Sequence, residues 1–339
     1  MKIGIVDRIH SNSRYWISYC KENQIPYKLV DPYATNIFEQ LRDCSAFMWH
    51  INHGDYRDMI FGKALIISLS KRGIRTYPDI NSVWHFDDKI AESYLLKAIN
   101  APVADYWCFY TKKTALDWLK TAEFPIVFKI RCGASASNVW LLDNQKKAKR
   151  YIKKAFSQGF AHSNPARLAF ENFTRWISGK TKFRNFAKFI ALWIFPKTFN
   201  VHLSNREKGY VYFQKFYRNN DCDYRIVVSG NNAYAMKRMV RKNDFRASGG
   251  GLIRYEKDQI PDCIVKTAFD TSRKLKAHTI AYDFVLDEAK QPRIIEICYS
   301  NGKPEGDCNV GYWTSDMKFH EGPFNPFKWM VESVIDDEK

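Results

Sequence analysis

Two carboxylates near the end of the chain, Asp283 and Glu296, are the residues best suited to chemistry. They lie in AYDFVLDEAKQPRIIEICY, where two runs of β-branched and aromatic residues flank a polar turn, a pattern typical of a hairpin. A loop centred between Ala289 and Lys290 places the two acids directly opposite each other on one face. Like charges in that position are destabilising. The pattern therefore favours a cation between them, and oxygen ligands on a rigid hairpin suit Mg²⁺.

The alternative interpretation is a solvated hairpin whose two acids both point to water. An acid beside apolar neighbours such as Phe284 and Ile297 is common on the surface of a sheet. Between the two arrangements, the sequence predicts the metal site on Asp283 and Glu296.

Cationic and small side chains precede the hairpin in an order that suits a triphosphate. The series consists of Lys129 in FPIVFKI, the small-residue loop RCGASASNV, Asp223 and Arg225 two residues apart, Arg238, and Arg246 before a glycine run. A loop of small residues offers backbone N–H groups to a phosphate. Taken singly, Lys129 is equally compatible with an edge-strand charge, and Arg238 and Arg246 with surface cations. The joint order supplies cations for a triphosphate and then carboxylates for its metal.

The elements that carry these residues begin with a βαβ pattern. IGIVD predicts a buried strand, a helical stretch reaches about Lys21, and YKLV and SAFMWHI predict two further strands, which together indicate a small parallel sheet. No GxGxxG follows the first strand, so the dinucleotide fingerprint is absent. The sequence is equally compatible with two roles for this lobe: a purely structural one and one that contacts the substrate. A domain boundary is predicted near Asn81 to Asp88.

Beyond that boundary, helices and strands follow in quick succession. DKIAESYLLKAI predicts a helix that begins at Asp88 and ends before Pro102. FPIVFKI and VWLL predict strands on either side of the small-residue loop, and VYFQKF, DYRIVVSG and NAYAMKRMV predict three successive strands. Turns are predicted at Asn219–Asn220 and Gly230–Asn231. A helix beginning near Pro261 has one apolar face, formed by Ile264, Val265, Ala268, Phe269 and Leu275.

Residues 171–208 form a basic, aromatic stretch that contains the apolar run FIALWIF, flanked by Lys188 and Lys197. This composition suits a membrane surface. The favoured interpretation is an inserted lid element whose apolar run packs on its neighbours.

Length and composition predict a globular cytoplasmic protein. With 339 residues and 45% hydrophobic content, the chain can form two or three domains. Its eight scattered cysteines have neither the spacing of a disulfide scaffold nor a CxxC zinc pair, which favours a reducing compartment. The opening MKIGIVDR is too short and too charged for a secretory signal, and no apolar run approaches the length of a spanning helix. Export and membrane spanning are therefore not expected.

The formal net charge of +17 would attract nucleic acids, anionic membranes, phosphorylated ligands or acidic glycans. No helix-turn-helix, zinc finger or RNA-binding aromatic motif accompanies the basic residues, so nucleic-acid binding is disfavoured. A non-catalytic binder of an anionic polymer remains an alternative.

Taken together, these motifs resemble the ATP-grasp enzymes, and most of all the RimK-like carboxylate–amine ligases, from about Asp88 to Ile297. The resemblance implies an α/β (α+β) chain with the ATP-grasp fold. An N-terminal pre-ATP-grasp parallel-sheet lobe would occupy residues 1–87. A lid and central subdomain with the basic insert 171–208 would occupy 88–213, and a C-terminal subdomain with the metal-binding hairpin and an aromatic tail would occupy 214–339.

The resemblance also implies ATP and Mg²⁺ as cofactors and assigns roles to residues. Those implied to contact the nucleotide are Lys89, Lys129, the loop residues Gly133, Ser135 and Ser137, the hinge residues Lys215 and Phe216, and Asp223 and Ser248. Those implied to act as catalytic cations are Arg225, Arg238 and Arg246. The implied Mg²⁺ ligands are Asp283 and Glu296.

The chain departs from the family pattern at two places. Cys298 lies two residues after Glu296, where family members usually have Asn, and a thiol is a poor ligand for Mg²⁺. Ser300 or Asn301 is the alternative oxygen donor. The phosphate loop has one glycine where many members have three, which is expected to change lid mobility more than nucleotide binding.

The reaction that the resemblance implies transfers the γ-phosphoryl group of ATP to a carboxylate, and an amine then attacks the acyl phosphate to give an amide. The tail CNVGYWTSDMKFHEGPFNPFKWM resembles endings of ATP-grasp proteins from bacterial capsule and surface-polysaccharide gene clusters. That second resemblance suggests a uronic-acid sugar joined to an amino acid or amino alcohol, with peripheral contact to a membrane or lipid-linked glycan. Tyr312 and Trp313 suit either stacking on a sugar or packing of the tail on the core. The alternative enzyme is an amino-acid or peptide ligase acting on a small acid.

Overall fold

A computed structural model of the chain describes residues 1–9, 11–55, 57–133, 138–161, 206–241, 244–248, 252–299 and 308–335. It divides into two compact units. The first unit comprises Met1–Ala104 and Tyr217–Lys339, and the second unit comprises Asp105–Phe216. The division into 1–87, 88–213 and 214–339 stays a prediction.

The first unit opens with a four-stranded sheet in the order β2-β1-β3-β4, and all its neighbouring strands are parallel. Its strands are β1 (Ile3–Ile5), β2 (Tyr27–Leu29), β3 (Ala46–Met48) and β4 (Arg75–Tyr77). Its helices are α1 (Ser13–Glu22), α2 (Ile37–Gln40), α3 (Lys63–Lys71), α4 (Ile80–Val83) and α5 (Lys89–Ala98), with a π-helical turn at Asp58–Gly62 before α3. β1 and β3 are buried along their whole length, as strands of a parallel sheet covered on both faces must be. The predicted βαβ lobe is confirmed.

The second unit contains an antiparallel sheet in the order β5-β10-β6-β7. Its strands are β5 (Tyr106–Phe109), β6 (Ile126–Lys129), β7 (Val139–Leu142) and β10 (Val211–Lys215), and a separate pair is formed by β8 (Phe160–Ala161) and β9 (Arg206–Glu207). Its helices are α6 (Lys112–Trp118) and α7 (Gln145–Ala155). Lys129 lies on β6, between β10 and β7, so the interpretation as an edge-strand charge is wrong.

The chain then returns to the first unit and forms an antiparallel sheet in the order β15-β14-β11-β12-β16-β17, with β13 paired to β12. Its strands are β11 (Cys222–Ser229), β12 (Asn232–Met239), β13 (Ile253–Arg254), β14 (Thr279–Leu286), β15 (Pro292–Cys298), β16 (Gly311–Thr314) and β17 (Phe319–Glu321). The helices are α8 (Asp262–Leu275) and α9 (Pro326–Glu332), with a 3₁₀ turn at Lys257–Gln259 before α8. The predicted strands and hairpin in this part are confirmed.

Helix α8 covers one face of this sheet. The five residues of its predicted apolar face are all buried in the core together with Tyr224, Ile226 and Val228 of β11. Because side chains alternate along a strand, the neighbours of these residues on β11 point to the opposite face. That opposite face carries the charged side chains described below.

Several predicted features lie outside the described residues. They are Ser135 and Ser137 of the small-residue loop, the glycine run 249–251, the alternative oxygen donors Ser300 and Asn301, and residues 171–205 of the basic insert. Of the helices that the structure does describe, none is long and apolar enough to cross a membrane.

His50 is expected to make the fold sensitive to acid. Its Nδ1 accepts a hydrogen bond from the backbone N–H of Asn12 at 3.0 Å, and burial, with the neighbouring His53, lowers its pKa from 6.5 to about 4. Because the unfolded chain binds the proton more tightly, stability is fully present above pH 6.5 and falls as the pH drops toward 4, by about 2–3 kcal/mol for this group. Urea unfolding at several pH values measures the loss.

The matched variant is His50→Asn, because the Asn side-chain oxygen accepts the same N–H and does not titrate. We expect its free energy of unfolding to depend less on pH between 6.5 and 4 than that of the wild type. An unchanged slope in this variant would show that other groups control acid sensitivity.

Candidate active site

The acidic hairpin is formed by β14 and β15, and Asp283 pairs directly with Glu296. This confirms the predicted register, but the loop centre was wrong. The strand ends pair as Phe284 with Ile294, Val285 with Arg293 and Leu286 with Pro292, so the loop is centred on Ala289.

A register shift between Asp283 and Phe284 restores the pairing of the two acids. It leaves Ile295 as an extra residue on β15. In an uninterrupted ladder Asp283 would face Ile295, and Glu296 would lie on the other side of the sheet. The bulge therefore turns both carboxylates to one face, and bulges are enriched next to active sites for this reason.

Two arginines bind the carboxylate of Asp283. Arg225, its direct partner on β11, donates from Nε and Nη2 at 2.7 and 2.8 Å. Arg238 on β12 lies with Nη2 2.9 Å from Oδ2 of Asp283. Arg238 also donates to both oxygens of Asp223, its partner across the ladder, at 2.6 and 2.8 Å.

These charges are buried and compensate one another. Asp223, Arg238 and Asp283 are 6–7% exposed, so the interpretation of Arg238 as a surface cation and the solvated hairpin are both wrong. Burial opposes ionisation of Asp283, yet Arg225 and Arg238 hold its pKa well below the ordinary range. Burial and the charge of Asp283 raise the pKa of Asp223 to about 6, against the opposing effect of Arg238. The cluster holds an ionised Asp283 between two fixed guanidinium groups.

Glu296 is compensated by a lysine from helix α5. Lys89 Nζ lies 3.3 Å from Glu296 Oε1, and its side chain is 4% exposed against 32% for Glu296. Burial disfavours the ammonium form, but Glu296, Glu92 and Asp87 raise the pKa of Lys89. The more open position of Glu296 leaves one carboxylate of the hairpin accessible to solvent.

Sequence reasoning missed Glu92 on the same helix. Its carboxylate accepts the backbone N–H of Ile297 at 3.2 Å, and burial together with Glu296 raises its pKa to about 8. An acid one helical turn after Lys89 was the available signal, since residues i and i+3 share a helix face. Glu92 thus anchors the strand segment that carries Glu296.

Five residues therefore share one face of the sheet, because residues paired across a ladder point the same way. We call this set the acid–arginine face: Asp223, Arg225, Arg238, Asp283 and Glu296.

Cys298 lies two residues beyond Glu296, opposite Ala281. Arg246 is bound to Asp244 at 2.6 Å, and the carbonyl of Ser248 accepts a hydrogen bond from Arg241 at 3.0 Å. The structure thus brings together the two acids, Lys89, Asp223, Arg225 and Arg238.

The oxygen donors on this face fit Mg²⁺ in kind, and Glu296 is the more open of the two carboxylates, whereas both oxygens of Asp283 are bound by arginines. Mg²⁺ takes oxygen ligands and typically binds to a protein through one or two carboxylates, keeping waters and phosphate oxygens in its remaining positions. Within the described part of the chain, no group of three or more His, Cys, Asp and Glu side chains is placed to hold a metal. The repulsion between Asp283 and Glu296 is relieved by Arg225, Arg238 and Lys89. The argument that the opposed acids require a metal cation was therefore wrong, because cations of the protein itself compensate them.

The second unit presents Lys129 on one face of its own sheet. Lys129 is 5% exposed and pairs with Tyr212 of β10, two residues before the buried Gln214. Phe128 and Phe213, one residue away from Lys129 and Tyr212 respectively, point to the opposite face and pack in the core. Tyr212 and Gln214 were missed, although the alternation in VYFQK places these two residues on one face. Lys215 ends β10, with its N–H bound to the carbonyl of Asp105 at 2.8 Å, and Phe216 follows it.

A hydrogen-bond network supports the start of the small-residue loop. Arg131 pairs with Glu207 at 2.9 Å, and its backbone N–H donates to the hydroxyl of Tyr210 at 2.7 Å. Tyr210 donates to Glu207 at 2.6 Å, and Cys132 Sγ lies 3.2 Å from the other oxygen of that carboxylate. The loop therefore begins from a fixed backbone.

Gly133→Ala is expected to destabilise this loop start by about 1–3 kcal/mol. Gly133 has φ +116°, and a Cβ there would lie 2.5 Å from Nδ2 of Asn138. The amide of Asn138 is buried and bound to the carbonyl of Cys132 at 3.3 Å, so it cannot move away freely. Urea unfolding midpoints measure the effect.

The matched control is Gly209→Ala, where φ is +86° and nothing lies within 4 Å of the added Cβ. The free energy of unfolding of this variant should fall by only about 1 kcal/mol, the cost of placing a residue with a Cβ at positive φ. Equal losses in the two variants would rule out the clash with Asn138.

The aromatic tail packs on the first unit. Trp313 is 1% exposed within the main core, 4.7 Å from the ring of Phe319. The interpretation of Trp313 as a platform for a sugar is therefore wrong, because its indole is buried against protein. Tyr312 packs against His320, Phe324 and Trp329, with the His320 ring stacked at 5.0 Å.

Solved structures are similar in fold to this chain, at low sequence identity. A D-alanine–D-alanine ligase from Bacillus anthracis is 12% identical, with TM-score 0.56, over 99% of this chain and 96% of that one. A RimK domain protein ATP-grasp from Sphaerobacter thermophilus is 14% identical, with TM-score 0.50, over 88% and 90%. The biotin carboxylase domain of the Hydrogenobacter thermophilus 2-oxoglutarate carboxylase, in complex with MgADP, ADP and bicarbonate, is 12% identical, with TM-score 0.60, over 100% and 70%. The predicted ATP-grasp fold is confirmed.

No protein-family model matches the sequence, and no curated protein matches it.

Proposed function

We propose that this chain is an ATP-dependent ligase that joins a carboxylate to an amine through an acyl phosphate. The observation that carries the proposal is the acid–arginine face: in a chain with the ATP-grasp fold, two opposed carboxylates lie beside two arginines, the half-buried Arg225 and the buried Arg238. The similar structures include a ligase and a protein bound to MgADP, which supports the same chemistry here.

Asp283 and Glu296 would hold Mg²⁺, which supplies charge neutralisation to the phosphates of a bound nucleotide. Glu296 is the more open of the two, so it is the accessible ligand. Arg225 and Arg238 are fixed by bidentate contacts to aspartates, and such a planar guanidinium presents donors without further ordering. They are suited to stabilise negative charge on the transferred phosphoryl group.

The remaining residues would bind and orient the nucleotide. We assign this role to Lys89, Lys129, Gly133, Ser135, Ser137, Lys215, Phe216, Asp223 and Ser248, with Arg246 as a further catalytic cation. The reaction requires no protein nucleophile, because its acceleration comes from positioning the reactants and neutralising charge. The buried cations of the two units, Lys129 and Arg238, are consistent with this kind of catalysis.

For the substrates we propose a uronic-acid sugar of a surface polysaccharide as the carboxylate and an amino acid or amino alcohol as the amine. The support is the resemblance of the tail to proteins of such gene clusters and the net charge of +17, which favours an acidic substrate. Trp313 gives no support, since it is buried.

The test is a screen of carboxylate and amine pairs for ADP release with ATP and Mg²⁺, with products identified by mass. We expect an amide product from a uronic acid and an amine. ADP release with free amino acids alone would identify a peptide ligase instead. A thermal shift with ATP and Mg²⁺ should precede the screen, because a ligand that binds the folded state raises the midpoint. No shift, together with salt-dependent binding of anionic polymers, would contradict the enzyme and support a binding protein.

A further inference from the structure

The outer face of helix α7 carries an unusual concentration of positive charge. Six of the eleven residues in QKKAKRYIKKA are Lys or Arg, and none is acidic. Ala148, Ile152 and Ala155 face the core of the second unit. The exposed cations of the helix, which we call the α7 stripe, are Lys146, Lys149, Arg150, Lys153 and Lys154. The ammonium group of Lys154, at the edge of the stripe, lies 4.6 Å from the centre of the Phe160 ring.

Within the part of the chain that the structure describes, the α7 stripe shows none of the acidic partners that surface helices commonly have. On α8, Lys266 and Arg273 both pair with Asp270. On α7, the ion pair that the described residues show is between Lys147, outside the stripe, and Asp143 at 3.0 Å. Positions three and four apart in the stripe are all like-charged, an arrangement that destabilises a helix. A surface that lowers helix stability through charge repulsion, with no compensating contact, is typical of a surface that serves a function.

The geometry of the stripe suits a flat anionic surface. From Lys146 to Lys154 the helix rises about 12 Å, and at 3.6 residues per turn the five positions lie within about 140° of arc on one side of the helix, which a flat surface can approach. The aromatic residue of α7, Tyr151, is half-buried and packs against Phe160 and Phe128. It offers no exposed ring for stacking on bases, which single-stranded nucleic-acid sites commonly use.

The chain next to the stripe favours a lipid surface over another polyanion. The described residues on either side of segment 162–205 contact each other near the C-terminal end of α7: the N–H of Gly159 donates to the carbonyl of Lys154 at 2.7 Å, and Arg206 donates to the carbonyl of Gly159 at 2.9 Å. The sequence of that segment contains FIALWIF between Lys188 and Lys197. Apolar and aromatic residues together with Lys are the composition of segments that lie on anionic bilayers.

We propose that the α7 stripe docks this protein on an anionic membrane surface. The contact surface consists of the described α7 side chains, and the attraction is electrostatic. Each Lys or Arg near an anionic bilayer strengthens binding by about fivefold. Binding should weaken with salt, because exposed charges are screened within about 10 Å at 0.1 M ionic strength.

The experiment measures flotation of the full chain with phosphatidylglycerol vesicles and, separately, with phosphatidylcholine vesicles. The test variant is Lys149→Glu/Arg150→Glu/Lys153→Glu. The matched control is Lys21→Glu/Lys71→Glu/Lys97→Glu, which makes the same change of net charge at exposed helix positions of the first unit. We expect wild type and control to bind anionic vesicles, and the test variant to bind at least about a hundredfold more weakly.

Equal weakening in the test variant and the control would overturn the proposal, since net charge alone would then explain binding. So would wild-type binding to polygalacturonate or polyuridylate without binding to vesicles. If the glutamates prevent folding, the Lys149→Gln/Arg150→Gln/Lys153→Gln variant serves the same comparison. ADP release with soluble substrates should be unchanged in the α7 variants, so failure of the membrane proposal and failure of the ligase proposal are distinguishable.

Discussion

Replacing Glu296 with Gln or Asp283 with Asn is expected to lower the turnover of ATP by at least about a hundredfold. Both changes keep the size of the side chain and remove the negative charge that would bind Mg²⁺. The side chain of Glu296 is 32% exposed, but its loss also removes the ion-pair partner of the buried Lys89, so the effect on folding must be measured beside the effect on activity. ADP release under saturating ATP and Mg²⁺ measures the change, with the melting temperature recorded for each variant.

The matched control is Glu288→Gln, an exposed acid in the turn of the same hairpin, which should keep wild-type turnover. Asp283 is bound by two arginines, so Asp283→Asn also removes a structural charge, and Glu296→Gln is the cleaner test. Full activity in both Asp283→Asn and Glu296→Gln would refute the assignment of these acids to the metal.

Arg238→Met is expected to lower the free energy of unfolding by about 3–5 kcal/mol, the largest stability effect of a single substitution predicted here. Arg238 is 7% exposed and binds the carboxylates of both Asp223 and Asp283. Within the described residues, its removal leaves the buried Asp223 without the arginine that binds both of its oxygens. Asp283 keeps its contacts with Arg225. Denaturant unfolding at neutral pH measures the loss.

The matched control is Arg273→Met on α8. Its side chain is 64% exposed and pairs with the partly exposed Asp270, and exposed ion pairs contribute about 0–1 kcal/mol. Similar losses for Arg238→Met and Arg273→Met would show that the buried cluster is not strongly coupled. The double variant Arg238→Met/Asp223→Asn provides a further comparison. If its free energy of unfolding falls less than that of Arg238→Met alone, the unpaired acid causes the destabilisation.

The local pattern of residue types was sufficient to predict most of the strands and helices around the candidate site. Alternation and β-branched residues predicted the strands around Asp223, Arg238 and Asp283, and the apolar face of α8 was predicted residue by residue. These features depend on neighbours a few positions apart, and their burial follows from periodicity alone.

The register of the acidic hairpin was predicted correctly from a partly wrong premise. The loop is centred on Ala289, and the extra residue Ile295 brings Glu296 opposite Asp283. The sequence indicates two acids on a hairpin, but a bulge depends on how β15 and β14 satisfy their ladder hydrogen bonds while burying one face.

What the sequence by itself determined is the set of chemical groups and the strands that carry them, because the periodicity of apolar and β-branched residues identifies each strand. Only the tertiary structure decided which charges meet. Lys89 reaches Glu296 from a helix far away in the chain, and Arg238 bridges two aspartates on neighbouring strands. Such contacts cross between elements, so no local pattern encodes them. Their strength comes from burial, since charges removed from water interact far more strongly than charges on the surface.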